Sequence, residues 1–478
     1  MMRSMYSAVS GLKTHQTRMD VIGNNIANVN TEAFKASSVR FSELMYQTLS
    51  SASGGNGAYG TGGVNAKQVG LGVNAASTTI NITAAGSSET TGRAFDLKLS
   101  DSKTTNFFIV SDGTSKFFTR AGSFYVDGNG YLCMSSTGYT VQGWQVDKTT
   151  GDIRKDMVSP LQVMSPANQN SNPEATTKAC VSGVLDKEDT NVTSKDGYVM
   201  SLGLFDDLGY SYNAKFAVKP VENANTANGM QYRITLTDIL DSDGKSILPT
   251  DETQRNQTLA SIWGENGQNG YVMTYDSNEG QFVSIGNAAG DGTKPASQLL
   301  KMSALSTGYT TTENGLNRQS NFRDIEVDFS LSKNTSKKGK SSLKIENGDV
   351  RGDGTGKKLG AMIGLSVDQE GKIYGSYDNG NTELLGQIAV AQFSNASGLE
   401  KVGNNCYQTT LNSGDFDGIG VEVNADGSTI NSGELEMSNV DLSGQFTDMI
   451  VTQRGFQANS RVITVSDTLL EELINLKR

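Results

Sequence analysis

Residues 442–474 read LSGQFTDMIVTQRGFQANSRVITVSDTLLEELI. Leu442, Met449, Phe456, Ile463 and Leu470 stand seven apart, and Phe446 and Ile474 take the complementary heptad position. Gln453, Ser460 and Asp467 interrupt the pattern. Apolar residues at this spacing line one face of a helix. A second stripe runs through Val462, Val465, Leu469, Leu473 and Leu476. Stripes on two sides require more than one packing neighbour, and a strict seven-residue repeat favours a left-handed coil against a partner. The spacing predicts a helix over about 438–476, roughly 55–60 Å long at 1.5 Å per residue.

The opposite end of the chain repeats the theme. Met5, Leu12, Met19 and Ile26 recur every seven residues, flanked by Val9, Ile22 and Val29. This predicts a helix over about residues 3–28. It is patterned for burial yet poor in propensity, because Gly11, Gly23, Asn24 and Asn25 lie inside it and each Gly costs about 1 kcal/mol relative to Ala. Residues 1–50 carry five basic and three acidic side chains, and residues 434–478 four basic and seven acidic. The opposite signs are compatible with the two helices meeting.

Between the ends the period changes to two. Residues 50–68, SSASGGNGAYGTGGVNAKQ, read as a linker or an extended segment. Short β-type runs follow at Phe107–Val110, Phe117–Arg120 and Ser123–Val126, punctuated by Asp112-Gly113 and by Asp127-Gly128-Asn129-Gly130. Further runs lie at Ile363–Val367, Lys372–Tyr377 and Gln387–Phe393. Residues 165–360 are rich in Asn, Asp, Thr and Gly and give weaker strand signals; they read as one or more β-rich insertions.

Composition excludes most chemistry. The 478 residues include one His and three Cys, with 40 Lys and Arg against 51 Asp and Glu, a net charge of −11. One histidine cannot build a multi-His metal site, and His15 reads as a surface residue. Cys133, Cys180 and Cys406 lack zinc-ligand spacing and read as small buried residues. The acidic balance gives no electrostatic reason to bind nucleic acid. No apolar stretch reaches membrane-span length, and residues 1–16 show no secretory signal pattern. Asp241–Gly244 fails as a calcium loop because Ile239 and Thr250 stand where acids belong. Gly352–Lys357 fails as a phosphate loop because Arg351 and Lys358 occupy required Gly and Ser/Thr positions. No catalytic residue, metal ligand or cofactor is expected.

Four blocks carry a family resemblance. Residues 20–31, DVIGNNIANVNT, closely resemble the N-terminal signature of bacterial flagellar axial proteins, the rod and hook family. Residues 438–442, SNVDL, together with Met449-Ile450 and residues 453–462, QRGFQANSRV, resemble its C-terminal signature. Residues 117–124 through 138–144, and residues 385–393, LGQIAVAQF, are similar to its inner β-domain. Ala33 departs from the pattern, standing where the family usually has Gly, as does Phe107, which lacks a preceding Gly. The length and central insertion resemble the hook-forming members; a distal rod-like protein is the alternative, and a surface adhesin a more remote one.

The resemblance implies a fold that is mainly β with long terminal α-helices, the N- and C-terminal helices pairing in a coiled coil and β-rich domains inserted in series. It implies a helical inner-tube domain (1–35 and 435–478), a connector (36–70 and 425–434), an inner β-domain (71–165 and 359–424) and outer β-rich insertions (166–358). The expected subunit-interface residues are Met5, Val9, Leu12, Met19, Ile22, Ile26, Leu442, Phe446, Met449, Phe456, Ile463, Leu470, Leu473 and Ile474. Asn24, Asn25, Asn28, Gln453 and Asn459 are expected to satisfy polar groups between helices. The implied function is that of a structural, non-enzymatic subunit of a curved tubular polymer, a universal joint between basal-body rod and filament. Its partners would be copies of itself in a helical homopolymer, rod and hook–filament junction proteins, and the hook cap and export apparatus during assembly. No nucleic acid and no membrane insertion is implied, and the location would be the extracellular flagellum, reached without a cleavable signal peptide.

Overall fold

The computed structural model describes residues 2–55, 60, 62–147, 150–221, 230–265, 267–286, 295–305, 321–336 and 338–476. Two compact units emerge: one from Met1–Asn168, Gly364–Ser376 and Thr382–Arg478, the other from Gln169–Ile363 and Tyr377–Asn381. The chain is mainly β, with a helix near each end.

In the first unit, helix α1 spans Met2–Ala27. The chain turns off it where the Asn28 side chain donates to the Asn24 carbonyl. Ala33 then takes φ 53°. That is the left-handed region, which costs an L-residue with a Cβ about 1–2 kcal/mol. Its backbone N–H donates to the Glu436 carbonyl at 2.8 Å, so the strained residue is held by the far end of the chain.

Strands β1 (Ser37–Glu43) and β4 (Val73–Ile80) pair antiparallel, with a bulge at Arg40/Phe41. β2 (Tyr46–Ser50) pairs with β3 (Lys67–Gly70), so the ribbon flanks the expected linker and only Ser50, Lys67 and Gln68 of it lie in strands, with an isolated antiparallel bridge between Ser53 and Val64; Asn56–Tyr59 and Thr61 lie outside the described residues.

A larger antiparallel sheet follows. The strand Asn106–Ser111 is buried on both faces because its alternation feeds two cores. Phe108 and Val110 enter one, with Phe124, Leu132 and Ile388; Phe107 and Ile109 enter the other, with Phe118, Trp144 and Tyr407. The run expected at 387–393 is two strands. Thr382–Ile388 pairs with Thr140–Gln145, and after Ala389 the segment Val390–Gln392 switches to Asn106–Ser111.

The second unit contains strands throughout the segment where sequence signals are weakest. Tyr198–Phe205, Ser211–Pro220, Met230–Asp241, Tyr271–Tyr275 and Phe282–Ile285 form a five-stranded antiparallel sheet. A four-stranded sheet orders Ser297–Leu300, Ile325–Lys333, Lys178–Val184 and Lys344–Asn347, with the middle two strands parallel. Helix α2, Glu252–Ile262, starts at Asp251, whose carboxylate accepts from the Thr253 N–H. It leads into Trp263, which is fully buried and donates its indole N–H to the Ile234 carbonyl at 3.1 Å. Polar Asn, Thr and Asp on the solvent faces mask the period-two pattern; the inward residues form one sealed core.

Helix α3 spans Leu442–Asn475 in the first unit. Asp441 caps it, its carboxylate accepting from the Ser443 N–H at 3.1 Å. It starts later than expected because Asn439 is needed as a clamp. The Asn439 side chain accepts from the Ala36 N–H and donates to the Asn81 and Ala84 carbonyls. Among the described residues no helix is long and apolar enough to cross a membrane.

Candidate functional site

Helices α1 and α3 lie antiparallel against each other. Gly11 faces Asn459, His15 faces Gly455, Arg18 pairs with Asp448 at 2.9 Å and Asn25 donates to Gln445 at 3.0 Å. The residues turned inward are small or polar: Ala8, Gly11, Thr14 and Asn25 from α1, with Ile22, and Thr452 and Ser466 from α3. A Cβ on Gly11 would fall 2.7 Å from Asn459 Nδ2, and one on Gly455 would fall 2.7 Å from the His15 ring. The glycines that weaken each helix locally are therefore the ones that let the two backbones approach.

The apolar heptad points elsewhere. Leu442, Phe446, Phe456, Leu473 and Ile474 are exposed, Ile474 at 67%; Met449, Ile463 and Leu470 are half-buried. Val451, Val462, Val465, Leu469 and Leu476 are exposed as well. On α1, Val9 is exposed, and Met5, Leu12, Met19 and Ile26 are half-buried; Ile22 alone of the expected apolar residues there is fully buried. An apolar row thus runs along each side of a small and polar seam.

The amides divide in the same way. Asn25 is 1% exposed; its Nδ2 donates to the Ser37 carbonyl and its Oδ1 accepts from the Ser37 N–H, pinning β1 to the helix. Asn459 lies in the seam, Asn28 closes the end of α1, and Asn24 and Gln453 are exposed. The reading of His15 as a surface residue is corrected. Because Gly455 has no side chain, the ring fits into the seam, edge-on to Phe41 with centroids 5.5 Å apart. Burial, and then the nearby Arg18, lower its pKa.

At the foot of the helix pair lies a charged cluster that sequence reading missed. Lys35 Nζ lies 2.8 Å from Glu436 Oε1, Arg120 Nε 2.9 Å from Glu436 Oε2, and Arg120 also reaches Asp101 at 2.7 Å. Lys35, Arg120 and Glu436 are each about 1% exposed at the side chain. Backbone groups add to these contacts: Lys35 donates to the Ala84 carbonyl, Arg120 donates to the Asn106 and Leu99 carbonyls, and Glu436 accepts from the Gly86 N–H. Burial pushes the Glu436 carboxyl up, but Arg120 and Lys35 more than offset this and hold it below its usual range. These residues stand 316 and 401 positions apart along the chain and carry no periodic signal.

Comparisons with known proteins match these same terminal regions. Residues 5–35 match the family described as "Flagella basal body rod protein", and residues 431–476 match "Flagellar basal body rod FlgEFG protein C-terminal". Flagellar hook protein FlgE of Treponema pallidum is 34% identical, and that of Borreliella burgdorferi 36% identical, each over 100% of both chains. Flagellar basal-body rod protein FlgG of Bacillus subtilis is 27% identical, also over 100% of both. The full-length similarity is greater to the hook proteins than to this rod protein, and the chain belongs to the flagellar hook protein FlgE family.

Proposed function

We propose that the chain is the structural subunit of the flagellar hook, polymerising with copies of itself and associating with the rod in the external flagellum. The observation that carries this reading is the inside-out character of the terminal helices: polar and small residues fill the internal seam, and apolar heptad rows face outward on both sides. Exposed apolar surface of this extent marks an interaction site, and two rows allow each helix pair to meet two neighbours.

In the polymer, the expected interface residues of α1 and α3 line an inner tube of supercoiled helices. Residues 36–70 and 425–434 act as the connector, 71–165 and 359–424 as the inner β-domain, and 166–358 as the outer shell. Polar outer surfaces slide past one another through weak, wet contacts as the tube bends, which suits a universal joint. The rod, the hook–filament junction proteins, the hook cap and the export apparatus are the further partners.

Electron microscopy of the purified chain after concentration tests this. Tubes with a central channel are expected, and discrete particles at every concentration overturn the reading. Amide exchange supplies a second test: α1 and α3 gain protection on assembly, whereas equal protection in monomer and polymer removes the role of neighbours in completing the helices.

A further inference from the structure

His15 is the one histidine of the chain, and it sits in the seam between α1 and α3. Its ring takes the space that a side chain at Gly455 would fill, a Cβ there falling 2.7 Å from its Cε1 and Nε2. Phe41 of β1 closes this socket edge-on, and the Arg18 guanidinium lies 5.6 Å from the centre of the same Phe41 ring. His15 Nδ1 is buried and has no hydrogen-bond partner among the described residues. Thr452, one turn before Gly455 on α3, is fully buried with its hydroxyl equally unpartnered, so the two groups do not satisfy each other.

No carboxylate is bonded to the ring from any element packed around it. On α1, Arg18 is a cation and Lys13 is exposed. On α3, Asp448 is taken by Arg18 at 2.9 Å, and Arg454 is exposed. On β1, Arg40 and Glu43 are exposed, and Glu43 accepts from the Tyr46 hydroxyl; β4 carries no charged residue.

We propose that His15 is a proton-sensitive wedge between the terminal helices: the neutral ring fills the Gly455 socket and the seam closes, whereas the protonated ring leaves the socket and α1 and α3 part. Both nitrogens of an imidazolium carry a proton. Protonation in place therefore leaves a buried Nδ1–H with nothing to receive it and sets a second cation beside Arg18. Burial and Arg18 hold the imidazole below its usual 6.5. Closure is thus fully supported above that value and loses support as pH falls from it toward the lowered one. The closed pair is the state that offers apolar rows on both sides of one seam, so mild acid withdraws that surface. This consequence rests on the assembly reading above; the opening itself is a property of the single chain.

Amide exchange of the full-length monomer, corrected for intrinsic rates and compared at about pH 7.5 and about pH 5.5, reads the opening. An NMR titration of the one imidazole runs beside it. Opening of α1 and α3 is expected to rise several-fold in acid while the strands of the second unit stay unchanged, and the imidazole is expected to titrate below 6.5. His15→Phe keeps the socket filled and removes the proton, so its helices should open alike at both pH values. Gly455→Ala displaces the ring and should return its titration toward 6.5. Helices that open no more in acid, opening shared equally by the second unit, an imidazole titrating at or above 6.5, or acid opening retained by His15→Phe each overturns the proposal. If His15→Phe does not fold, the parent's titration and exchange still decide. Acid opening in a chain that forms tubes at neither pH refutes the assembly reading alone.

Discussion

The second unit and the terminal helix pair use the same twenty residue types in opposite ways. In the unit built from Gln169–Ile363, the largest apolar groups are sealed: Trp263, Phe216, Tyr275 and Phe329 are at or near zero exposure, packed ring to ring. In the helix pair, Thr14, Asn25, Thr452 and Ser466 are inside and Phe446, Val465 and Ile474 outside. A segment of the first kind completes its core by itself. A segment of the second kind leaves its hydrophobic burial to be made with other molecules. The contrast separates what folds from what assembles within one chain.

The strongest way to break that contrast is Phe446→Asp. Phe446 is 48% exposed, so monomer stability should change by no more than about 0.5 kcal/mol, while tube formation is lost; the check is a melting curve beside a sedimentation assay. A destabilised monomer would mean that the apolar row is already in use inside the chain.

Trp263→Ala should do the reverse, costing about 3–5 kcal/mol in the second unit. The three buried thiols provide the readout. Cys180 lies in the second unit and should become reactive first, while Cys406, its thiol pushed up by burial to about 11, stays protected in the first. Simultaneous exposure of both would show that the units unfold together.

Glu436→Gln should cost about 3 kcal/mol or more, since it leaves Lys35 and Arg120 buried with half their compensation. It should also remove an acid transition. Glu436 ordinarily titrates near 4.5 and is held lower in the fold, so its contribution is fully present above that value and is lost as pH falls through the lowered pKa. An acid-unfolding profile of the variant with the same low-pH step would dissociate the cluster from that transition.

Glycine substitutions give the finest test. Gly11→Val should separate the helices and weaken assembly, because its Cβ would crowd Asn459. Gly23 has nothing within 4 Å of a built Cβ, so Gly23→Ala should stabilise α1 by up to about 1 kcal/mol. Loss of assembly in Gly23→Ala would mark Gly23 as a point of close approach between copies.

Much of this was legible one-dimensionally. The heptads placed α1 and α3 to within a few residues, and the paired aromatics at Phe107 and Phe118 located the first sheet. Periodicity alone did not say which stripe faces inward. The seam Ala8, Gly11, His15, Arg18, Ile22, Asn25 has helical spacing too, but small and polar residues score poorly as a buried face. The strands of residues 169–363 were faint because Asn, Asp and Thr crowd their solvent sides. Lys35, Arg120 and Glu436 were invisible, being single charged residues brought together only by the completed topology.

That last arrangement bears on how the molecule is made. The ribosome delivers Lys35 early and Arg120 soon after, but their shared carboxylate arrives only at position 436 of 478. Until then Arg120 has only Asp101 as counter-charge, Lys35 has no carboxylate, and the site cannot close. A chain cut short of position 436 therefore lacks the carboxylate that fastens its C-terminal part to Lys35 and Arg120.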